Sequence, residues 1–178
     1  MASTFVFSAS AEEPAKPAPA ADAAHAAPET KPVIKTFGTW STRCEEDVKT
    51  KKLADCHAFI DVRAGDQKQQ ILYLGIGYLP KKPGEFFAFA MTPLGTILPP
   101  GVGLNIDDKV KFGGPYAFCI PLGCQADIKL TDEQLKGLKS GKQLEVLFRL
   151  MGQGVVKVPV KLDGLSAALA SLPKPPKT

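Results

Sequence analysis

The chain has no hydrophobic run long enough to cross a bilayer as a helix, which needs about 20 consecutive apolar residues. Its longest apolar run, Ile71 to Leu79, is strand-sized and interrupted by Gly75 and Gly77. It is therefore expected not to be transmembrane, while a peripheral association with an envelope surface stays open. Histidine is scarce, with only His25 and His57, which leaves little material for acid–base catalysis. His25 stands in a proline-rich stretch that gives it no fixed partner. His57 directly follows Cys56, and neighbouring strand residues point to opposite faces, so a Cys56–His57 dyad is geometrically poor. The chain also lacks a basic stripe. Its net charge of +4 comes from scattered lysines such as Lys49, Lys81, Lys82 and Lys157. A nucleic-acid binder would carry a basic face or stacking aromatics beside one, so nucleic acid is not an expected partner. The glycines at 101–103 and 113–114 match neither a phosphate-binding loop nor a dinucleotide fingerprint. Asp107-Asp108 reads as a turn, and Asp132-Glu133 as the acidic first turn of a helix. No catalytic residue, metal ligand or cofactor is assigned.

Four cysteines are present: Cys44, Cys56, Cys119 and Cys124. A zinc site would want ligand pairs about two to four residues apart, and the interval from Cys44 to Cys56 is much too long. A disulfide framework is preferred, with three connectivities open to four cysteines. Cys44–Cys56 and Cys119–Cys124 are favoured because local pairs close cheaply, contributing about 3 and about 2 kcal/mol by loop-closure entropy. Such bonds persist in a periplasm or outside the cell. Ala9-Ser10-Ala11 has the small-x-small form of a signal-peptidase site. Because no basic segment precedes it, residues 1–11 read as the end of a signal peptide; an ordinary disordered start is the alternative. Residues 12–35, rich in alanine and proline, read as a disordered spacer, and 173–178 as a second flexible tail.

Between these tails, residues 36–172 show mainly period-two alternation. Leu144, Val146, Phe148 and Leu150 alternate with Gln143, Glu145 and Arg149. Val156, Val158, Val160 and Leu162 alternate with Lys157, Pro159 and Lys161. The two runs flank Gly152-Gln153-Gly154 and form an expected hairpin. Pro159 places the second run at a sheet edge. The stretches 71–79 and 86–91 are apolar on both faces, which suits central strands of a sandwich or a face that meets a partner. Phe86, Phe87 and Phe89 are read as core before ligand contacts, and Trp40 is expected to pack against a disulfide. Thr131 to Gln134 forms a capping-box pattern that starts a short helix ending at Gly141. A second short helix is expected at 165–172. About eight or nine strands with one or two short helices give a mainly β fold, an antiparallel β-sandwich.

The order of several motifs resembles the invasion-associated locus B family of Gram-negative envelope proteins. The elements are Phe37-Gly38-x-Trp40 leading to Cys44, then Cys56, then Leu98-Pro99-Pro100-Gly101-Val102 with Leu104 and Ile106-Asp107. Cys119, Gly123-Cys124-Gln125-Ala126, the 130–138 helix region and Val158-Pro159-Val160-x-Leu162-x-Gly164 follow. The resemblance spans about residues 36–172. It implies a secreted or periplasmic sandwich of immunoglobulin-like shape, related to proteins linked with bacterial entry into host cells. It carries over no catalytic or ligand residue, only the paired cysteines.

The expected function is a non-enzymatic, exported cell-envelope interaction domain whose partner is an envelope or host-surface protein. The alternative is a periplasmic small-ligand-binding protein using the aromatic strands. The candidate binding surface is the turn with Lys81 and Lys82, together with Ile120, Pro121 and Leu122 inside the Cys119–Cys124 ring. The competing reading of Ile120 and Leu122 is that they cap the end of the core. Oligomeric state is left open.

Overall fold

A computed structural model of the chain describes residues 29–66, 68–79 and 84–174. Eleven strands and two helices follow in the order β1 (Thr30–Phe37), β2 (Trp40–Asp47), β3 (Leu53–Ala64), β4 (Gln69–Tyr78), β5 (Phe86–Thr92), β6 (Val102–Ile106), β7 (Val110–Gly114), β8 (Tyr116–Ile120), β9 (Gly123–Lys129), α1 (Asp132–Ser140), β10 (Gln143–Leu150), β11 (Gly154–Lys161) and α2 (Leu165–Ser171). They build a seven-stranded antiparallel sheet, β1-β2-β3-β4-β5-β9-β8, and a four-stranded one, β11-β10-β6-β7. The two sheets pack as a sandwich.

The alternation of apolar residues decides the layers. In the larger sheet Trp40, Ala58, Leu72, Leu74, Ile76, Ala88, Ala90 and Ala126 point inward. They meet Val102, Leu104, Ile106, Leu144, Val146, Phe148, Val158 and Val160 from the smaller sheet. Burial of this apolar surface, at about 25 cal/mol per Å², is the main force holding the layers together. Trp40 is fully buried, and its indole N–H donates to the Lys161 carbonyl at 2.9 Å, joining β2 to β11. Its nearest specific tie is therefore to the opposite sheet.

Local signals produced the elements that depend on them. Gly152 and Gly154 both have positive φ in the turn between β10 and β11, and β11 is an edge strand, as Pro159 requires. Thr131 accepts from the Gln134 amide while the Gln134 side chain accepts from the Thr131 amide, a complete capping box on α1. Leu165, Ala168 and Leu169 of α2 are buried.

One boundary moves and one strand is added. Thr30 to Lys35, expected to belong to the spacer, lie in β1, where they pair with β2 from Thr30↔Asp47 to Phe37↔Trp40. Backbone pairing holds this strand although most of its side chains are exposed. The rest of the expected spacer to residue 28, the expected signal-peptide end at 1–11 and residues 175–178 of the tail lie outside the described residues. Strand β8 is a further addition, an edge reached when the chain passes through Pro115 from the smaller sheet to the larger.

Candidate functional site

Cys44 is bonded to Cys56 and Cys119 to Cys124, the pairing favoured by their spacing. The first bond ties neighbouring strands β2 and β3 where the register slips between Arg43 and Glu45. The second closes the β8–β9 hairpin at the paired positions Cys119 and Cys124. Its tip carries Ile120, Pro121 and Leu122, all exposed, with Leu122 80% accessible. Ile120 and Leu122 therefore do not cap the core. Lys81 and Lys82 lie outside the described residues.

The more developed surface is the outward face of the larger sheet. Directly opposed residues of an antiparallel pair point to the same face, so the register maps that face row by row. One row runs Asp61, Tyr73, Met91, Gln125, Phe118; the next Phe59, Gly75, Phe89, Asp127; the third Arg43, His57, Gly77, Phe87, Lys129. Of Phe86, Phe87 and Phe89, all expected in the core, only Phe86 is there; Phe87 and Phe89 face outward and are half-buried. They assemble with rings from other strands. Phe87 stacks beside Phe89 at 5.8 Å, Phe89 beside Tyr73 at 5.9 Å and Tyr73 beside Phe59 at 5.3 Å. His57 meets Phe89 edge-on at 5.2 Å. Aromatic pairs at such separations add about 0.5–1.5 kcal/mol each beyond burial.

Two glycines make the arrangement possible. A Cβ at Gly75 would fall on the Cζ and Cε1 atoms of Phe89, so the ring lies over bare backbone. A Cβ at Gly77 would stand 2.9 Å from the Cys56 carbonyl oxygen and 3.1 Å from the His57 Cβ. These glycines interrupt the apolar run of β4 because the Phe89 ring occupies the side-chain space at Gly75 and the neighbouring strand β3 crowds it at Gly77.

His57 has one consistent neutral form. Its Nδ1 lies 3.2 Å from the Asp55 carbonyl, which can only accept, so Nδ1–H donates. Nε2 then accepts from the Tyr73 hydroxyl at 2.8 Å. Burial holds the His57 pKa below its ordinary value, and burial pushes the Tyr73 hydroxyl up to about 12. Both groups thus stay neutral at pH 7 and act as hydrogen-bonding walls.

Beside these rings opens a cleft of about 680 Å³. Its floor is aromatic: His57, Tyr73, Tyr78, Phe87 and Phe89. Its polar lining includes Arg43, Glu45, Asp55 and Gln125, and Pro173 and Lys174 also line it. The Arg43 guanidinium pairs with the Glu45 carboxylate at 2.9 Å. The Ile120–Leu122 tip is not among the cleft residues, although Phe118 and Gln125, two rungs back along its hairpin, continue the outward face. The sequence signal for the face is the pair of double-sided apolar runs 71–79 and 86–91. Phe59 and His57 lie outside those runs, and their place beside Tyr73 and Phe89 depends on register across strands.

The sequence profile of the family described as "Invasion associated locus B (IalB) protein" matches residues 40–173. The chain belongs to the invasion-associated locus B family. An invasion protein B homolog of Brucella abortus (strain 2308) is 24% identical over 135 residues, covering 75% of this chain and 75% of that protein. The homolog from Brucella abortus biovar 1 (strain 9-941) gives the same figures. The crystal structure of invasion associated protein B from Bartonella henselae superposes with a TM-score of 0.63 at 22% identity, covering 76% of this chain and 92% of that one. At that identity the superposition shows a shared fold. Among the described residues, no helix is long and apolar enough to cross a membrane.

Proposed function

We propose that this member of the invasion-associated locus B family is an exported, non-enzymatic interaction domain of the cell envelope that takes part in bacterial entry. In this reading it holds an envelope or host-surface protein on the outward aromatic face of its larger sheet. The observation that carries the reading is the row of half-buried rings, Phe59, Tyr73, Phe89 and Phe87, on a sheet face that no second layer covers among the described residues. Aromatic side chains supply large, stiff contact area and dominate binding hot spots. Export is supported by two disulfides, which need an oxidising compartment. The non-enzymatic part is supported by His57, whose two ring nitrogens already serve Asp55 and Tyr73, and by the cross-linking of all four cysteines.

A second reading, a small-ligand-binding protein, is favoured by the cleft, whose 680 Å³ falls in the usual range for ligand sites. One experiment addresses both. The full chain and its Phe87→Ser/Phe89→Ser variant are used to capture partners from envelope extract and host-cell membranes, with small-molecule mass spectrometry on the same samples. A protein captured by the full chain and lost with the variant is the expected result. Equal capture by both overturns the aromatic face as the binding surface. A small molecule bound one-to-one, with no protein captured, replaces the first reading by the second.

A further inference from the structure

Three loops of the sandwich meet at one corner, and none of them carries a charge. They belong to the uncharged stretches 86–106, 112–126 and 150–156. Backbone bonds hold them side by side. Thr92, at the end of β5, pairs with Cys124 of the disulfide-closed β8–β9 hairpin. Further along the loop that leaves β5, the Gly95 carbonyl accepts from the Met151 amide at 3.0 Å, and the Ile97 amide donates to the Arg149 carbonyl at 2.8 Å. These bonds bring in the β10–β11 turn. The tips of the three loops are Leu122, Met151 and Leu94, which are 80%, 73% and 55% exposed. Exposed apolar side chains gathered at one place, and not scattered singly, mark a contact surface.

We infer that this corner is a membrane-docking site, at which Leu94, Leu122 and Met151 enter the interface of an anionic phospholipid bilayer while Arg149 and Lys157 meet its headgroups. Three observations favour lipid over protein. The tips are aliphatic, whereas protein hot spots are rich in tryptophan, tyrosine and arginine and poor in leucine. Pro93 and Pro121 stand directly before Leu94 and Leu122, so the residue beside each of these tips has no amide hydrogen to desolvate on entering an apolar medium. Charge is the third observation. Arg149 opposes Val155 and Lys157 opposes Leu147 on the outward face behind the Met151 turn. Both cations are exposed, and neither is in an ion pair among the described residues. On the row that ends at Phe118, the one charged side chain is Asp61, and Arg63 neutralises it at 2.8 Å. Apolar tips backed by unpaired cations suit a surface that rests on an anionic membrane. The Cys119–Cys124 bond already fixes the hairpin, so little entropy is lost when its tip inserts.

The corner is separate from the aromatic face, and the two are tested separately. The full chain is mixed with vesicles of phosphatidylethanolamine and phosphatidylglycerol, or of phosphatidylcholine alone, and binding is read by flotation. Docking predicts binding to the anionic vesicles only, weakened by added salt. Leu122→Ser/Met151→Ser, at exposed positions that leave the fold intact, should lower the partition coefficient at least about tenfold. Arg149→Gln/Lys157→Gln should lower it by a similar factor of about ten. Ile34→Ser, which removes a comparably exposed apolar side chain on β1, and Phe87→Ser/Phe89→Ser should leave it unchanged. Leu122→Trp should add an emission that shifts to the blue with anionic vesicles, against the constant signal of the buried Trp40. No binding of the full chain to anionic vesicles overturns the site. Equal binding to both vesicle types, or equal binding by the tip variant, does so too. A tip variant that instead loses a captured protein, or a concentration-dependent dimer, overturns lipid in favour of a protein partner or a second copy.

Discussion

Replacing Gly75 by alanine tests the aromatic face with a single methyl group. The added Cβ would fall on the Phe89 ring, so ring and methyl cannot both keep their places. The backbone of β4 is held on both sides, by β3 and β5, and the ring, at the end of a side chain, is the part that moves. Overpacking of this kind costs about 1–3 kcal/mol. Phe89→Ala alone removes a half-buried ring, for which about 2 kcal/mol is expected, half of the usual cost of a buried phenylalanine. In the double variant the new methyl group enters the space the ring has left. Alanine is also better than glycine in a strand by roughly 0.5 kcal/mol. The double variant should therefore be no less stable than Phe89→Ala alone, and the cycle should show a coupling of about 1–3 kcal/mol. Urea unfolding of the four proteins measures it, and thermal melts should follow at roughly 4 °C per kcal/mol for a domain of this size. Additivity within about 0.5 kcal/mol would refute the argument, because Gly75 would then not be the floor on which Phe89 rests.

Three further outcomes follow from the same structure. Replacing both Cys44 and Cys56 by serine should cost about 3 kcal/mol in urea unfolding and the Cys119, Cys124 double replacement about 2, the order being set by loop length; a reversed order would contradict it. Because burial lowers the folded-state pKa of His57 below its unfolded value near 6.5, the unfolded chain binds the proton more readily. Stability should accordingly hold above that value and fall as pH drops through the folded pKa. His57→Gln should flatten this part of the profile, and an unchanged slope between pH 7.5 and 5 would show that other groups set it. Ile120→Ser combined with Leu122→Ser should leave stability within about 0.5 kcal/mol, because both side chains are exposed; a large drop in melting temperature would return them to the core.

The parts of the fold legible from sequence are those set by neighbours in the chain. The β10–β11 hairpin needed only alternation and the 152–154 turn, α1 only its capping box, and the disulfides only short intervals. Strand β1 escaped because its side chains are mostly exposed and Lys31-Pro32 resembles the proline-rich stretch before it. Strand β8 escaped because Phe118 and Ile120 are apolar yet exposed, which blurs any two-residue period. The double-sided apolar character of 71–79 and 86–91 marks two central strands of the larger sheet whose outward face also carries rings. Its membership was hidden, since Phe59 reaches Tyr73 and Tyr73 reaches Phe89 only through the pairing of β3, β4 and β5. No local pattern fixes that register when a bulge interrupts it after Val62.

The position of Cys44–Cys56 also decides how the domain bears a mechanical load. Tension entering through Thr30 meets an edge strand, and β1 can peel from β2 pair by pair, from Thr30↔Asp47 to Phe37↔Trp40. Beyond that turn the pull reaches Trp40, anchored in the core and bonded to Lys161, and then Cys44. There the covalent cross-link carries the force directly to Cys56. Residues 45–55 are bypassed, so Glu45, Leu53 and Asp55, part of the cleft lining, sit in a hairpin end, paired at Glu45↔Ala54 and Glu46↔Leu53, that a pull on the chain does not load.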